Sequence, residues 1–395
     1  MKVVQLNAVC SGSTGKICVA VSHMLSEKGI ENHILYADGP SFCETARAYM
    51  SRREIKLQAL RSRVLGNYGF NSRAATKRLL KQLDAISPDI IHIHNIHGHN
   101  AHLGLLFSYL KEKKIRVFWT FHDCWAFTGY CPHYAGEDCE TWQAGCHGCL
   151  HHRQYSWFFD RSRALYKRKK ALFTGLDLTV ITPSDWMAAQ VKQSFLKDRP
   201  IKVIRNGIDL SVFRPRQSDF RRTHGLEDKR IILGVAGGWG YKKGLDSFIE
   251  LSEKLDDRYV CVLVGTDTQV DRQLPKNILS IHRTHNQQEL AEIYSAADVF
   301  FNPTREDTYP TVNMEAIACG TPVVTYSVGG SPESLSEGTG LVVERDPDAV
   351  IRAIEQLIGA KDTVAASCSA AAAAFDQADR FRDYVALYTE KDGSL

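Results

Sequence analysis

The segment REDTYPTVNMEAIACGTPVV, residues 305–324, sets two carboxylates, Asp307 and Glu315, on either side of seven residues. A Gly-Thr-Pro turn and a β-branched run follow. Helix starts favour negative charge, so acids there can serve as caps. A polyhydroxyl ligand offers a second use, because it needs two acceptors held a fixed distance apart. Thr308 suits a helix cap and Pro310 a first turn, which predicts free N–H groups near Thr311 and Val312. Glu315 then lies roughly 7–8 Å farther along the axis, at about 1.5 Å per residue. That matches the span from a diphosphate to the ribose hydroxyls of the same nucleotide. Asp307, ahead of the helix, then faces the other side of the diphosphate, where a transferred sugar would lie.

Other segments carry chemistry of the same kind. GVAGGWGYKKG, 234–244, puts Lys242 and Lys243 beside Gly244 after a β-rich run. A lysine near a helix start neutralises phosphate and reinforces the helix amides; the competing reading is a solvated pair. CSGSTGKI, 10–17, lacks the Gly at position 10 and the Ser or Thr at 17 of a Walker A loop, since Cys10 and Ile17 stand there. A phosphate-loop NTPase is excluded. Gly12 and Gly15 still let backbone approach a ligand at a helix N-terminus, unless they only close a tight turn. HIHNIHGHN, 92–100, places His92 and His94 on one side of a strand and His97 and His99 in a loop. Imidazoles sharing a face could hold a metal, but no carboxylate follows to complete the set. Partly buried structural histidines and a polar cleft lip are the preferred reading. TFHDCWAFTGYC brings His122 and Asp123 to the end of a strand. A histidine there can donate to a hydroxyl or accept its proton.

CPHYAGEDCETWQAGCHGC carries Cys131, Cys139, Cys146 and Cys149. Its final C-x-x-C has knuckle spacing, and the other two thiols complete the four ligands of a structural zinc at about 2.3 Å each. A redox pair and four free cysteines are the alternatives. With no export signal read at the start of the chain, the thiols are expected to be reduced.

These residues need a frame. Short β-rich runs (3–7, 32–37, 89–94, 116–122, 178–184) alternate with amphipathic stretches such as 60–83, and a second series follows at 201–207, 230–237, 259–265, 277–282, 298–303 and 321–327. Alternation of this kind predicts α/β architecture: two Rossmann-like, doubly wound domains of parallel strands facing across a cleft. The expected domains are 1–200, with a Cys-rich insert at 124–152, and 201–375, with a last helix about 376–395. In such sheets ligands bind beyond the carboxyl ends of the strands, where all the motifs above fall. The chain has 395 residues, 44% hydrophobic and 24% charged, and a net charge of +4. That charge is too small to argue for nucleic acid. No run approaches the roughly 18 apolar residues of a membrane span, so a cytoplasmic location is expected. Residues 52–81 hold nine Lys or Arg against one Glu. That patch suits either solvent or the anionic headgroups of the inner membrane face.

With DIIHIHNIH, TFHDCW, TPSDW, VIRNGIDLSVFRP, the Lys-Gly of YKKG, IYSAADVFFNP and EDTYPTVNMEAIACGTPVV on view, the chain resembles retaining glycosyltransferase family 4, of GT-B fold. The resemblance covers nearly the whole chain. The last segment is similar to the family's E-x7-E region, which implies that Glu315 binds the ribose and that Asp307, an Asp where Glu is usual, lies by the donor sugar. Glu306 is adjacent, and the choice between them is open. The resemblance implies that Lys243 grips the diphosphate; the family's second cation, an Arg, has no match, leaving Lys242 or an N-domain group. It further implies that His122 contacts the donor sugar, that Gly15 approaches the phosphates, and that the last helix returns to the first domain. The insert resembles a subgroup of bacterial exopolysaccharide and O-antigen (colanic-acid-type) assembly. The implied activity is transfer of a hexose from a UDP- or GDP-sugar, with retention, to a glycan or lipid-linked acceptor, with Gly12, His97 and Asp123 on the acceptor side. No D-x-D segment suits a metal–diphosphate site, so no catalytic cofactor is expected. A sugar-nucleotide epimerase or phosphorylase on a related scaffold is the rival enzyme. A zinc-containing nucleic-acid module is the rival of another class, but no stacking platform supports it.

Overall fold

In a computed structural model, residues 1–41, 43–134 and 139–390 are described. They divide into two units, Met1–Arg205 with Phe381–Leu395, and Asn206–Arg380. The first begins β1 (Lys2–Asn7), α1 (Gly12–Glu27), β2 (Glu31–Tyr36), β3 (Ala46–Ala48), α2 (Arg52–Leu65), α3 (Arg73–Ile86) and β4 (Ile90–Ile93). It continues with α4 (Leu103–Lys113), β5 (Arg116–Thr120), α5 (Ser162–Phe173), β6 (Leu178–Thr182), α6 (Asp185–Gln193) and β7 (Ile201–Val203). Among the described residues its sheet has seven parallel strands in the order β3-β2-β1-β4-β5-β6-β7.

The second unit holds α7 (Phe220–His224), β8 (Arg230–Val235), α8 (Leu245–Lys254), β9 (Tyr259–Val264), α9 (Thr268–Asp271), β10 (Ile278–Ile281) and α10 (Gln287–Ala296). Then come β11 (Val299–Asn302), α11 (Thr311–Ala318), β12 (Val323–Tyr326), β13 (Gly340–Val343), α12 (Pro347–Gly359) and α13 (Lys361–Ala372). Its six described strands run β10-β9-β8-β11-β12-β13, again parallel. The last helix, α14 (Gln377–Thr389), starts in this unit and ends in the first.

The central strands read as apolar runs because helices cover both faces of a parallel sheet. Buried Ile90, Ile91, Ile93 and Val180 fill the first unit, and Ile231, Ile232, Val262 and Val324 the second. Strand order reverses between β1 and β4, and between β8 and β11. These are the switch points at which doubly wound sheets open to ligands.

Three expectations need correction. Residues 201–207 do not open the second sheet: Ile201 pairs with Val180, so β7 closes the edge of the first. The 60–83 stretch is two helices, because Gly66 ends α2 in the left-handed region at φ 68°, a C-cap geometry that stops a helix. Thr308 is not the N-cap of α11; Pro310 is the N-cap residue, and it makes no side-chain cap hydrogen bond.

Candidate functional site

The second unit gathers its candidates at its switch point. The turn after β8 carries Lys242 and Lys243; the loop after β11 carries 304–310. Arg305 N–H donates to the Lys242 carbonyl at 2.9 Å, knitting the loops together. Lys243 Nζ lies 3.0 Å from Asp307 Oδ2, and Lys242 Nζ lies 2.7 Å from Glu306 Oε1. Gly244 is required where the turn meets the loop. It has φ 74°, and a Cβ would stand 2.4 Å from the Pro303 carbonyl oxygen.

Sequence reasoning missed the anchor of this arrangement, Arg305. It is buried, binds Asp246 through two nitrogens at 2.7 and 2.6 Å, and lies 4.0 Å over the Tyr241 ring. The Asp246 hydrogen bond raises its pKa further, so it is a fixed cation committed to scaffold. Its signal was its place beside Glu306 in an otherwise acidic and apolar stretch. The two acids differ in setting. Glu306 is buried, and its Oε2 has no hydrogen-bond partner. Asp307 is partly exposed; its Oδ1 accepts from Tyr309 N–H at 3.3 Å. Of the pair, Asp307 is the one a ligand can reach.

Thr311 and Val312, both partly exposed, form the uncapped first turn of α11. Such a turn presents free N–H donors and the positive end of the helix dipole. Glu315 follows in the next turn, where buried Tyr294 donates to its Oε2 at 3.1 Å. Asn302 donates to Asn313 at 2.8 Å, and Asn313 to Ser334 at 2.9 Å, which pins α11 to the end of β11.

The first unit has a histidine relay. His92 and His94 are fully buried, so the expectation of partial burial is corrected. His92 contacts Tyr388 and Thr120 hydroxyls. Gln5 gives its amide hydrogen to the Cys18 carbonyl and turns Oε1 to His94 Nε2 at 3.1 Å. His94 must donate there, so its Nδ1 accepts from His122 Nε2–H at 3.0 Å. The chain fixes the tautomer, leaving the acceptor lone pair of His122 on Nδ1. Burial holds the His122 pKa down at about 4, against the pull of Asp123. His122 is thus a neutral acceptor at physiological pH.

His97 Nε2 pairs with Asp123 Oδ2 at 3.1 Å. Burial works against ionisation of Asp123, but His97 overcomes it and holds the acid at about 2; the same pairing raises His97. Gly12 opens α1 at φ 70° with open space beside it. Gly15 has a local reason: a Cβ there would stand 2.6 Å from the Cys10 carbonyl carbon.

Among the described residues, no group of three or more His, Cys, Asp or Glu side chains is placed to hold a metal ion. The four cysteines do lie within electrostatic reach of one another. Burial, then Cys149 and Cys139, raises Cys131 to about 11, and burial raises Cys146 to about 12. Cys146 sits at φ 46°, and its Sγ accepts the Gly129 N–H at 3.1 Å. Beside them is a second residue the sequence reading passed over. Lys169 is fully buried, donates to the Trp125 and Thr128 carbonyls at 2.7 and 3.1 Å, and lies over the Trp125 ring. Its signal was the i, i+4, i+8 series Leu165, Lys169, Phe173 on one helix face.

Two doubly wound parallel sheets, with basic and acidic loops meeting at the second switch point, are the features of a GT-B glycosyltransferase. Residues 15–212 match the model of Glycosyltransferase Family 4 and residues 229–360 that of Glycosyl transferases group 1, and the chain belongs to this family of glycosyltransferases. A putative colanic acid biosynthesis glycosyl transferase, WcaC of Escherichia coli, is 22% identical over 88% of both chains. A D-inositol 3-phosphate glycosyltransferase of Geodermatophilus obscurus is 30% identical over 47% of this chain and 46% of its own. Among solved structures, sucrose-phosphate synthase from Thermosynechococcus elongatus aligns at TM-score 0.71 and 18% identity, covering 98% of each chain. Anabaena HepE in complex with UDP and glucose aligns at TM-score 0.70 and 14% identity, covering 98% and 99%.

Proposed function

We propose that the chain is a retaining hexosyltransferase of bacterial surface polysaccharide assembly, drawing on a UDP- or GDP-sugar and acting on a glycan or lipid-linked acceptor. The observation that carries this reading is the uncapped start of α11 with Glu315 held by Tyr294 in its next turn. The diphosphate docks on the N–H groups of Thr311 and Val312, with Lys243 released from Asp307 to meet it and Lys242 as second cation. Glu315 takes the ribose hydroxyls. Asp307, freed by the same exchange, accepts from the donor sugar, and His122 contacts that sugar. The leaving diphosphate is stabilised by fixed amides and lysine charge. Gly15 lies toward the phosphates, and Gly12, His97 and Asp123 serve the acceptor side. HepE's UDP and glucose support a nucleotide-sugar donor, and the putative role of WcaC in colanic acid biosynthesis supports polysaccharide assembly.

Incubation with UDP- and GDP-hexoses and candidate acceptors tests the proposal. The expected result is an oligosaccharide product whose anomeric configuration, by NMR, equals that of the donor. An epimerised free sugar nucleotide, or an inverted linkage, would refute it.

We further propose that Cys131, Cys139, Cys146 and Cys149 take one structural zinc. The support is the four-thiol set, the N–H···S bond to Cys146, and the buried Lys169, whose pKa burial lowers to about 7 and whose charged form neighbouring thiolates would favour. Closing the set requires rotation of the thiol side chains. About one zinc per chain is expected by metal analysis, lost in Cys146→Ser/Cys149→Ser. Metal-free purified protein with unchanged melting after chelation would dismiss it.

A further inference from the structure

Helix α2 is built inside out. Its buried positions are Gln58 and Ser62, whereas Leu57, Leu60, Val64 and Leu65 are exposed. At 100° per residue, Leu57, Leu60 and Val64 form one stripe. Arg53 and Arg61 lie within or beside it, with Arg52, Lys56 and Arg63 along its flank; the helix has one acid, Glu54, bound to Arg78 and the cap Ser51. The polar face is the one held by the fold: the Ser62 hydroxyl bonds His99 and Asn71. The apolar face is left to the surroundings.

A second exposed apolar segment is fastened to the end of this helix. Trp157 N–H donates to the Arg63 carbonyl at 2.7 Å, and Tyr130 OH reaches the carbonyls of both Gly66 and Phe159. Trp157, Phe158 and Phe159 are 49%, 66% and 50% exposed, and Leu150, on the same loop region, 91%. Arg161 closes this side, its guanidinium near the Phe159 ring and 3.4 Å from Asn67. Two exposed apolar elements are therefore tied together by hydrogen bonds at the end of α2, with arginines and a lysine beside them. Soluble proteins rarely leave a contiguous patch of this kind uncovered.

We propose that this surface, α2 with residues 157–159, seats the first unit on an anionic lipid bilayer. Leucines and aromatics enter the headgroup–acyl boundary, where Trp and Phe partition well, while the flanking cations meet acidic headgroups. The charge argues against a second copy of the chain as occupant, since apposing two such patches would bring the same cations together. The leucine stripe argues against nucleic acid, which would leave those side chains exposed.

The test is co-sedimentation of the full chain with vesicles of phosphatidylcholine alone or mixed with phosphatidylglycerol. Binding to the mixed vesicles is expected, at least ~10-fold stronger than to neutral ones and weakened at ~1 M salt, where the Debye length is about 3 Å. Trp157→Ser/Phe158→Ser/Phe159→Ser and, separately, Leu57→Ser/Leu60→Ser are each expected to cut binding ~10-fold or more, with the melting temperature held. Arg53→Glu/Arg61→Glu should remove the preference for phosphatidylglycerol. Wild-type protein left in the supernatant would overturn the proposal. So would vesicle binding untouched by these variants, or a solution dimer that the same variants dissociate. Failure here leaves the donor reading intact, because none of these residues belongs to the second unit.

Discussion

Glu315 and Lys243 do different work, and their loss should read differently from a folding defect. Glu315 is partly exposed and held by the Tyr294 hydroxyl, and Lys243 is on a solvent-facing turn. Neither fills a core, so Glu315→Ala and Lys243→Ala are expected to leave melting nearly unchanged while turnover falls ~100-fold or more, on the scale of losing a preorganised transition-state contact. Full activity in either would discredit the donor pocket. The buried imidazoles make a separate prediction. Burial lowers His92, His94 and His122 below the free value of 6.5, His122 to about 4. Their unfolded forms take up protons that the folded forms refuse. The stability they contribute is whole above pH 6.5 and is lost as pH falls below it, in the case of His122 down toward 4, at about 1.4 kcal/mol per pH unit per proton. The His97–Asp123 pair runs otherwise: His97's share fades as pH rises above 6.5, and Asp123's is lost only as pH falls from 3.8 toward 2. Denaturant titrations across the acid range should therefore show more than one proton taken up per unfolding chain. A midpoint flat between these limits would contradict the burial argument.

The elements position these groups through backbone contacts that composition does not announce. Gly330 N–H donates to the Asp307 carbonyl at 3.1 Å, and a Cβ on Gly329, at φ 58°, would stand 1.9 Å from that oxygen. Gly329→Ala must therefore displace the Asp307 loop or the 328–331 turn. A stability loss of roughly 1–3 kcal/mol is expected, with a larger fall in turnover than in nucleotide affinity, because Asp307 is proposed to face the sugar and Glu315 the ribose. Equal activity and melting would show that the loop position does not matter. The strands that carry the site were legible because buried parallel strands are apolar runs: β8, β9 and β11 announce themselves in ILGV, VCVLV and VFFN. The edge strands β3 and β13 were not, since short edge strands with exposed residues lack that pattern. The E-x7-E spacing and Lys243 were visible as acids and a lysine after strands. Their mutual pairing was not, because Lys243–Asp307 spans 64 positions and depends on β8 and β11 being neighbours. Arg305 and Lys169 escaped for a related reason. Each is a charge inside a fold, and only its partners, distant in sequence, explain why it is there.

At the scale of the molecule, the second unit is an insert whose two ends meet. Ile208 N–H donates to the Phe375 carbonyl at 2.8 Å, Gln377 N–H donates back to the Ile208 carbonyl at 3.0 Å, and Ile208 bridges Asp376. Gly207 fits only without a side chain, as a Cβ would stand 2.4 Å from the Gln377 Cα. Among the described residues, one apolar core runs from Ile208 to Phe375 and draws only on residues of this unit. The first unit instead needs the chain's end: Phe381, Tyr384, Val385, Leu387 and Tyr388 pack with Val3, Ile17, Phe118 and Ile204, and Tyr388 is the hydroxyl partner of buried His92. The two dependencies are asymmetric. A fragment of residues 206–380 keeps its whole core, its sheet, and the Lys243, Asp307 and Glu315 groups, and its length is ordinary for an autonomous domain. It is expected to unfold in a single cooperative transition and to bind the donor nucleotide within ~10-fold of the full chain. Excess nucleotide, at about 100 times Kd, should add about 2.7 kcal/mol to its stability. It should transfer no sugar, for want of His122 and the acceptor groups. Removal of residues 377–390 is expected to unfold the first unit, by exposing that apolar face and taking the Tyr388 partner from His92 Nδ1. A fragment that aggregates or ignores nucleotide, beside a full chain that binds it, would mean that the donor groups are not the second unit's own.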